Sequence, residues 1–116
     1  MIISILDYGS GNIKSVSKAV EFAATNLNKN ILVKVIQDPK KIKESDKIIL
    51  PGQGSFKQCT KHLSNMSGAM EELHEFVIEK EKKIFGICVG MQLFANFGEE
   101  DGGSKGFGWI EGDVKK

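Results

Sequence analysis

Short apolar runs, set between polar and glycine-bearing turns, give the chain its rhythm. Ile2-Ile3-Ser4-Ile5-Leu6 is too short for a helix and too apolar for a half-exposed strand, so it predicts a strand buried on both faces. Gly9-Ser10-Gly11-Asn12 interrupts it. From Ile13 the apolar positions Ile13, Val16, Val20 and Ala23 recur at helical spacing with Lys14 and Lys18 between them, and Asn12 is placed to cap that helix. Residues 31–36 read as a second strand. Asp38-Pro39 sets a capping side chain before a proline at the first helical position, which predicts a short helix over 39–44. Residues 47–50 form a third strand. It ends at Pro51-Gly52-Gln53-Gly54, which neither continues a strand nor directly opens a long helix. Met70, Leu73, Phe76 and Val77 mark one stripe of a helix over 69–82. Residues 83–87 form a fourth strand, residues 90–97 read as a helix ending near Gly98, and Trp109 to Val114 offers one more strand. Strands alternating with helices predict an α/β fold, a mostly parallel sheet with helices on both faces. Residues 1–116 show neither an internal repeat nor a domain boundary.

Composition narrows the class without changing this picture. Hydrophobic residues make up 41% and charged residues 27%, which is ordinary for a globular domain and argues against disorder. A length of 116 residues suits one domain with a modest core. Sixteen basic against fifteen acidic residues give a net charge of +1, which disfavours nucleic-acid binding through bulk positive charge. No apolar run approaches the roughly 18 residues of a membrane span. The start, Met-Ile-Ile-Ser-Ile-Leu-Asp, lacks the basic region of a signal peptide. Cys59 and Cys88 make no disulfide framework, so a reducing, cytoplasmic setting is expected. Glycine is the outlier, at 13 residues against about 7% in average proteins.

The glycines gather where chemistry is expected. In open α/β sheets, sites form at the carboxyl ends of the strands, and three turns meet there: Gly9–Asn12, Pro51–Gly54 and Gly86–Gly90. Gly86-Ile87-Cys88-Val89-Gly90 has the form of a nucleophile elbow, G-x-S-x-G with Cys in place of Ser. An abrupt strand-to-helix turn strains the central residue, and flanking glycines leave room that a Cβ would take. The sulfur then sits at a helix N-terminus, where the dipole favours the reactive thiolate. The Val89 N–H would face an oxyanion formed by attack of Cys88. A small buried cysteine on a tight turn has the same spacing. Pro51–Gly54 offers further N–H donors, although Pro-Gly turns are common in themselves. Cys59, His62, His74 and Cys88 are ligand types that suit zinc, but their places in the pattern do not converge, so no metal is expected. Gly102, Gly103, Gly106 and Gly108 lack the spacing of a dinucleotide site. Lys40, Lys41 and Lys43 read as a solvated face.

In combination these segments are specific. Gly86-Ile87-Cys88-Val89-Gly90-Met91-Gln92-Leu93 resembles the nucleophile segment of class I (triad) glutamine amidotransferases. Met91 before Gln92 points to the branch that serves as glutaminase subunits of imidazole glycerol phosphate synthases. Ile5 to Asn12, Leu50 to Phe56, Glu99-Glu100, Gly106 to Ile110 and Gly112 to Val114 resemble further segments of that branch in order and spacing. The resemblance implies that Cys88 attacks the side-chain amide of glutamine, forming a glutamyl thioester and releasing ammonia. It implies that Gly52, Gln53, Gly54 and Val89 shape the oxyanion site, that Gln92 and Glu100 hold glutamine, and that Asn12 faces a cyclase partner in a heterodimer. That partner uses the ammonia to make imidazole glycerol phosphate in histidine biosynthesis. No cofactor is implied.

Two departures qualify it. Gln53 stands where the family usually has Val. The family's general base is a His in a downstream His-Pro-Glu segment, and residues 1–116 contain none. The resemblance therefore covers the N-terminal portion of the domain, before the C-terminal strands. Little complete turnover is expected of these 116 residues alone, since the leaving ammonia and the attacking water lack their proton carrier. His62 and His74 match nothing in the motif and are expected on surfaces. A non-catalytic docking module, or a fragment of an amidotransferase serving another ammonia acceptor, stays open as an alternative. The family's later strands continue the sheet, so an exposed apolar edge and association with another chain are expected.

Overall fold

The computed structural model describes residues 1–27 and 30–115. Strands β1 (Ile2–Leu6), β2 (Leu32–Ile36), β3 (Lys47–Leu50) and β4 (Lys83–Gly86) form a parallel sheet in the order β2-β1-β3-β4. The α/β architecture expected from the alternation is present, and the register assigns each side chain to a face. Ser4, Ile48 and Ile84 stand in one row, and Ile5, Ile49 and Phe85 in the adjacent one. Because alternate residues point to opposite faces, Leu6, Ile36, Ile48, Leu50 and Ile84 look one way and Ile5, Ile49 and Phe85 the other.

The main core lies on the first face. Leu6, Ile36, Ile48 and Leu50 meet Ile42, Phe56, Leu63, Leu73 and Phe76, all buried. Burying each of these side chains stabilises the fold by roughly 1.5–3 kcal/mol relative to exposure. The layer over them consists of the 3₁₀ segment Pro39–Glu44, α2 (Phe56–Asn65) and α3 (Ala69–His74), which widens into a π-helical turn at Glu75–Glu79. The second face carries α1 (Ile13–Asn26), capped by Asn12, whose Oδ1 accepts the Ser15 N–H at 3.2 Å.

Three elements differ from the sequence-based expectation. Helix α2 was not foreseen, although its start is written in the chain: the Ser55 side chain accepts the Gln58 N–H, and Gln58 Oε1 accepts the Ser55 N–H, a reciprocal cap. The helix expected over 69–82 holds regular α geometry only to His74 before the π turn. The helix expected over 90–97 stops after one turn, as α4 (Val89–Gln92), and β5 (Ala95–Gly98) follows. The carbonyls of Leu93, Phe94, Ala95 and Asn96 accept N–H groups of Phe107, Ile110, Gly108 and Gly106, so a distant segment takes the bonds that a helix would need. β5 thus forms the centre of a small second sheet between β6 (Ser104–Lys105, antiparallel) and β7 (Ile110–Val114, parallel). No helix among the described residues is long and apolar enough to cross a membrane.

Candidate active site

Parallel order brings the carboxyl ends of β1, β3 and β4 side by side, so the three glycine-bearing turns converge. The Ile87 N–H still bonds to Leu50 O at 3.0 Å, and the chain then reverses within one residue. Cys88 has φ +56° and ψ −122°, and α4 begins at the next residue. A non-glycine residue with such a backbone stores about 1–3 kcal/mol of strain, which its surroundings must enforce. Close backbone contact enforces it here. A Cβ on Gly90 would lie 2.0 Å from Leu50 O, and one on Gly52 would lie 2.4 Å from the Gly90 nitrogen. The loop after β3 and the elbow after β4 are therefore packed backbone against backbone. Cys88 is exposed, whereas Cys59 is buried. Among the described residues the Val89 N–H meets no acceptor, while those of Gly90 and Met91 close the turn onto Ile87 O and Cys88 O.

A buried polar network holds the β3 loop from the other side. The Tyr8 hydroxyl donates to Pro51 O at 2.6 Å. Ser10 Oγ accepts the Gln53 N–H at 3.2 Å, lies 3.1 Å from Gln53 O, and stands 3.0 Å from Cys59 Sγ. Both main-chain polar groups of Gln53 are thereby engaged. Burial, and then the neighbouring Cys59, push the Tyr8 phenol well above the ordinary tyrosine range. Sequence reasoning gave Ser10 and Tyr8 no role of their own and weighed Cys59 only as a zinc ligand or a disulfide partner. The network exists because β1 and β3 are neighbours in the sheet, and nothing in the local pattern around residue 10 points to residue 53.

The remaining predicted site residues fall in different places. Gln92 closes α4, one turn from Cys88, and is half-buried. Glu100 Oε1 accepts the Phe56 N–H at 3.3 Å, which sets its carboxylate against the first turn of α2, where the Pro51–Gly54 loop ends. Asn12 is exposed at the start of α1. Both histidines are exposed. His62 Nδ1 lies 3.0 Å from Gly9 O, and His74 Nδ1 accepts the Trp109 Nε1–H at 3.2 Å. Neither histidine hydrogen-bonds to Cys88.

This arrangement presents an accessible thiol on a strained turn, a free N–H on the following residue, and a glycine loop packed against the backbone of Val89 and Gly90. It suits nucleophilic attack on a carbonyl carbon, with the developing oxyanion received by backbone N–H groups. The model of the SNO glutamine amidotransferase family matches residues 10–115. Over all 116 residues the chain is 45% identical to "Imidazole glycerol phosphate synthase subunit HisH" of Pelagibacter ubique (strain HTCC1062) and 46% identical to the subunit of the same name in Bradyrhizobium diazoefficiens. The like-named protein of Brucella suis biovar 1 is 39% identical over the same length. In each case the alignment takes in 100% of this chain and 54% of the relative, so the chain spans about half the length of the curated relatives it matches.

Proposed function

Because the chain belongs to the SNO glutamine amidotransferase family, we propose that it carries the nucleophile portion of a glutaminase site. The observation that carries this reading is the backbone of Cys88, held at positive φ between β4 and α4 with its thiol exposed. Cys88 Sγ attacks the side-chain amide carbon of glutamine. The tetrahedral oxyanion is received by the Val89 N–H and by the Gly52–Gly54 loop, to which Gln53 adds its N–H on releasing Ser10. Collapse expels ammonia and leaves a glutamyl thioester, which water then cleaves to glutamate. Gln92 and Glu100 hold the substrate, Glu100 as a carboxylate paired with its α-ammonium group. The proton carrier is a His–Glu pair from the portion of the domain that follows in the resembling family, because neither His62 nor His74 is bonded to the thiol.

The named relatives are subunits of imidazole glycerol phosphate synthase, which supports a cytoplasmic heterodimer with a cyclase subunit approached through Asn12 and its turn. In this reading the chain is the N-terminal part of the glutaminase domain, and its ammonia feeds histidine biosynthesis. The test is ammonia release from glutamine by the chain assembled with its complementary portion and the cyclase. Release should vanish in Cys88→Ala while assembly persists, and release surviving that substitution sinks the reading.

A further inference from the structure

Along one face, α2 clasps the segment that bears Glu100. The contacts come from Phe56, Lys57 and Thr60, and the first two each lie one helical turn from the third. The Phe56 N–H donates to Glu100 Oε1 at 3.3 Å, the Lys57 ammonium donates to Asp101 O at 3.0 Å, and Thr60 Oγ1 lies 3.1 Å from Ser104 Oγ. The Thr60 hydroxyl already donates to Lys57 O at 2.8 Å, so Ser104 is the donor of that last bond. The clasped segment is strained. Asp101 has φ +52° and ψ +39°, and Gly102 and Gly103 follow it at positive φ. A non-glycine residue keeps such a backbone only where its surroundings hold it, and the Asp101 carbonyl is the group that Lys57 holds. Glu100 itself is half-buried. Among the described residues no cation lies within 4.0 Å of its carboxylate, and the one ion pair is Lys115–Glu99. The nearby Lys57 is engaged on a carbonyl instead.

We propose that Lys57 and Thr60 are positioning residues for substrate recognition: by fixing residues 101 and 104 on α2, they hold the Glu100 carboxylate, anchored through one oxygen, where it receives the α-ammonium group of glutamine. The proposal rests on the glutaminase reading above and deepens it. A carboxylate fixed before binding holds an ammonium group more tightly than a mobile one, because the fold rather than the ligand has ordered it. Gly102 and Gly103 give the segment backbone freedom that the single bond from Phe56 does not remove, and the two side-chain contacts remove it. The same helix carries Cys59, which stands against Ser10 and so against the Gln53 loop. Glu100 and the oxyanion loop are thereby referred to one rigid element.

The test treats the 116-residue chain with a chloroketone analogue of glutamine whose chlorine-bearing carbon stands in the place of the amide carbon. Cys88 Sγ displaces chloride, the C–S bond forming as the C–Cl bond breaks, and the thiol proton passes to buffer. No proton carrier from elsewhere in the domain is needed. Mass spectrometry follows the single addition, and Cys88→Ala supplies the background. The rate should saturate, and the half-saturating concentration reads recognition of the amino-acid end. Iodoacetamide lacks that end and reads thiol reactivity alone. Lys57→Met and Thr60→Val should each raise the half-saturating concentration about threefold or more, with iodoacetamide rates within about twofold of the parent. Lys57→Arg and Thr60→Ser, which keep the donor and the hydroxyl, should stay near the parent value. Glu100→Gln should raise it about tenfold, the loss of one charge-assisted contact. If Glu100→Gln weakens saturation while Lys57→Met and Thr60→Val do not, the positioning role falls and the substrate role of Glu100 stands. If Lys57→Met and Thr60→Val slow iodoacetamide as much as the chloroketone, their role is merely structural and the proposal falls as well. Saturation unchanged in Glu100→Gln, or absent from the parent, removes Glu100 as the substrate's carboxylate and this proposal with it.

Discussion

Replacing Gly90 with alanine tests the backbone-on-backbone contact that holds the elbow. The added Cβ would fall 2.0 Å from Leu50 O, 2.9 Å from Leu50 C and 3.0 Å from Pro51 C, where ordinary contact begins at 3.4 Å. All three are main-chain atoms, so no side chain can swing aside, and the two turns must part by more than 1 Å. That parting breaks the 3.0 Å bond from the Ile87 N–H to Leu50 O, a loss of about 1 kcal/mol. Overpacking adds about 1–3 kcal/mol, so the total is about 2–4 kcal/mol. Gly68→Ala is the control. Gly68 sits at φ +85° with nothing within 4 Å of the added atom, so alanine there meets only the left-handed backbone penalty of about 1–2 kcal/mol. Urea unfolding followed by the fluorescence of Trp109, the single tryptophan, which is stacked on Phe107, reads both. With a slope of roughly 1.5 kcal/mol per molar urea, Gly90→Ala lowers the midpoint by about 2 M and Gly68→Ala by about 1 M or less. A Gly90→Ala midpoint at or above that of Gly68→Ala would refute the claim that space, rather than φ, demands glycine at residue 90.

Tyr8 is the single tyrosine, and its folded-state pKa is raised by burial. The unfolded chain therefore loses the phenolic proton first, and the stability Tyr8 contributes, complete below pH 10, declines as pH rises above it. Tyrosinate absorbance should appear only with unfolding, and Tyr8→Phe should flatten the fall of stability with alkali; a free titration near pH 10 in the folded protein would contradict this. Ser55→Ala removes one half of the reciprocal cap at α2 and should cost about 1 kcal/mol in the same urea assay, whereas a change below about 0.3 kcal/mol would show that the cap contributes little.

Much of the fold was legible because it rests on local rules. A run of five apolar residues, too short for a helix, had to be a buried strand, and the strand-turn-helix alternation then required parallel order. The elbow was legible for the same reason: a cysteine between glycines at the end of a strand has few ways to turn. The Ser55–Gln58 cap was equally local and was simply overlooked. The end of α4 was another matter. Residues 93–97 have helical periodicity, yet their carbonyls are claimed by N–H groups 10 to 16 residues further along, and no reading of neighbours reveals that competition. The Ser10–Gln53–Cys59 network belongs to the same class. Sequence alone determined the four strands of the parallel sheet and where a thiol could stand on a strained turn, because sterics and burial act within a few residues. Only the tertiary structure decided which loop packs against that turn and which buried network holds the loop, because both depend on strand order across the sheet.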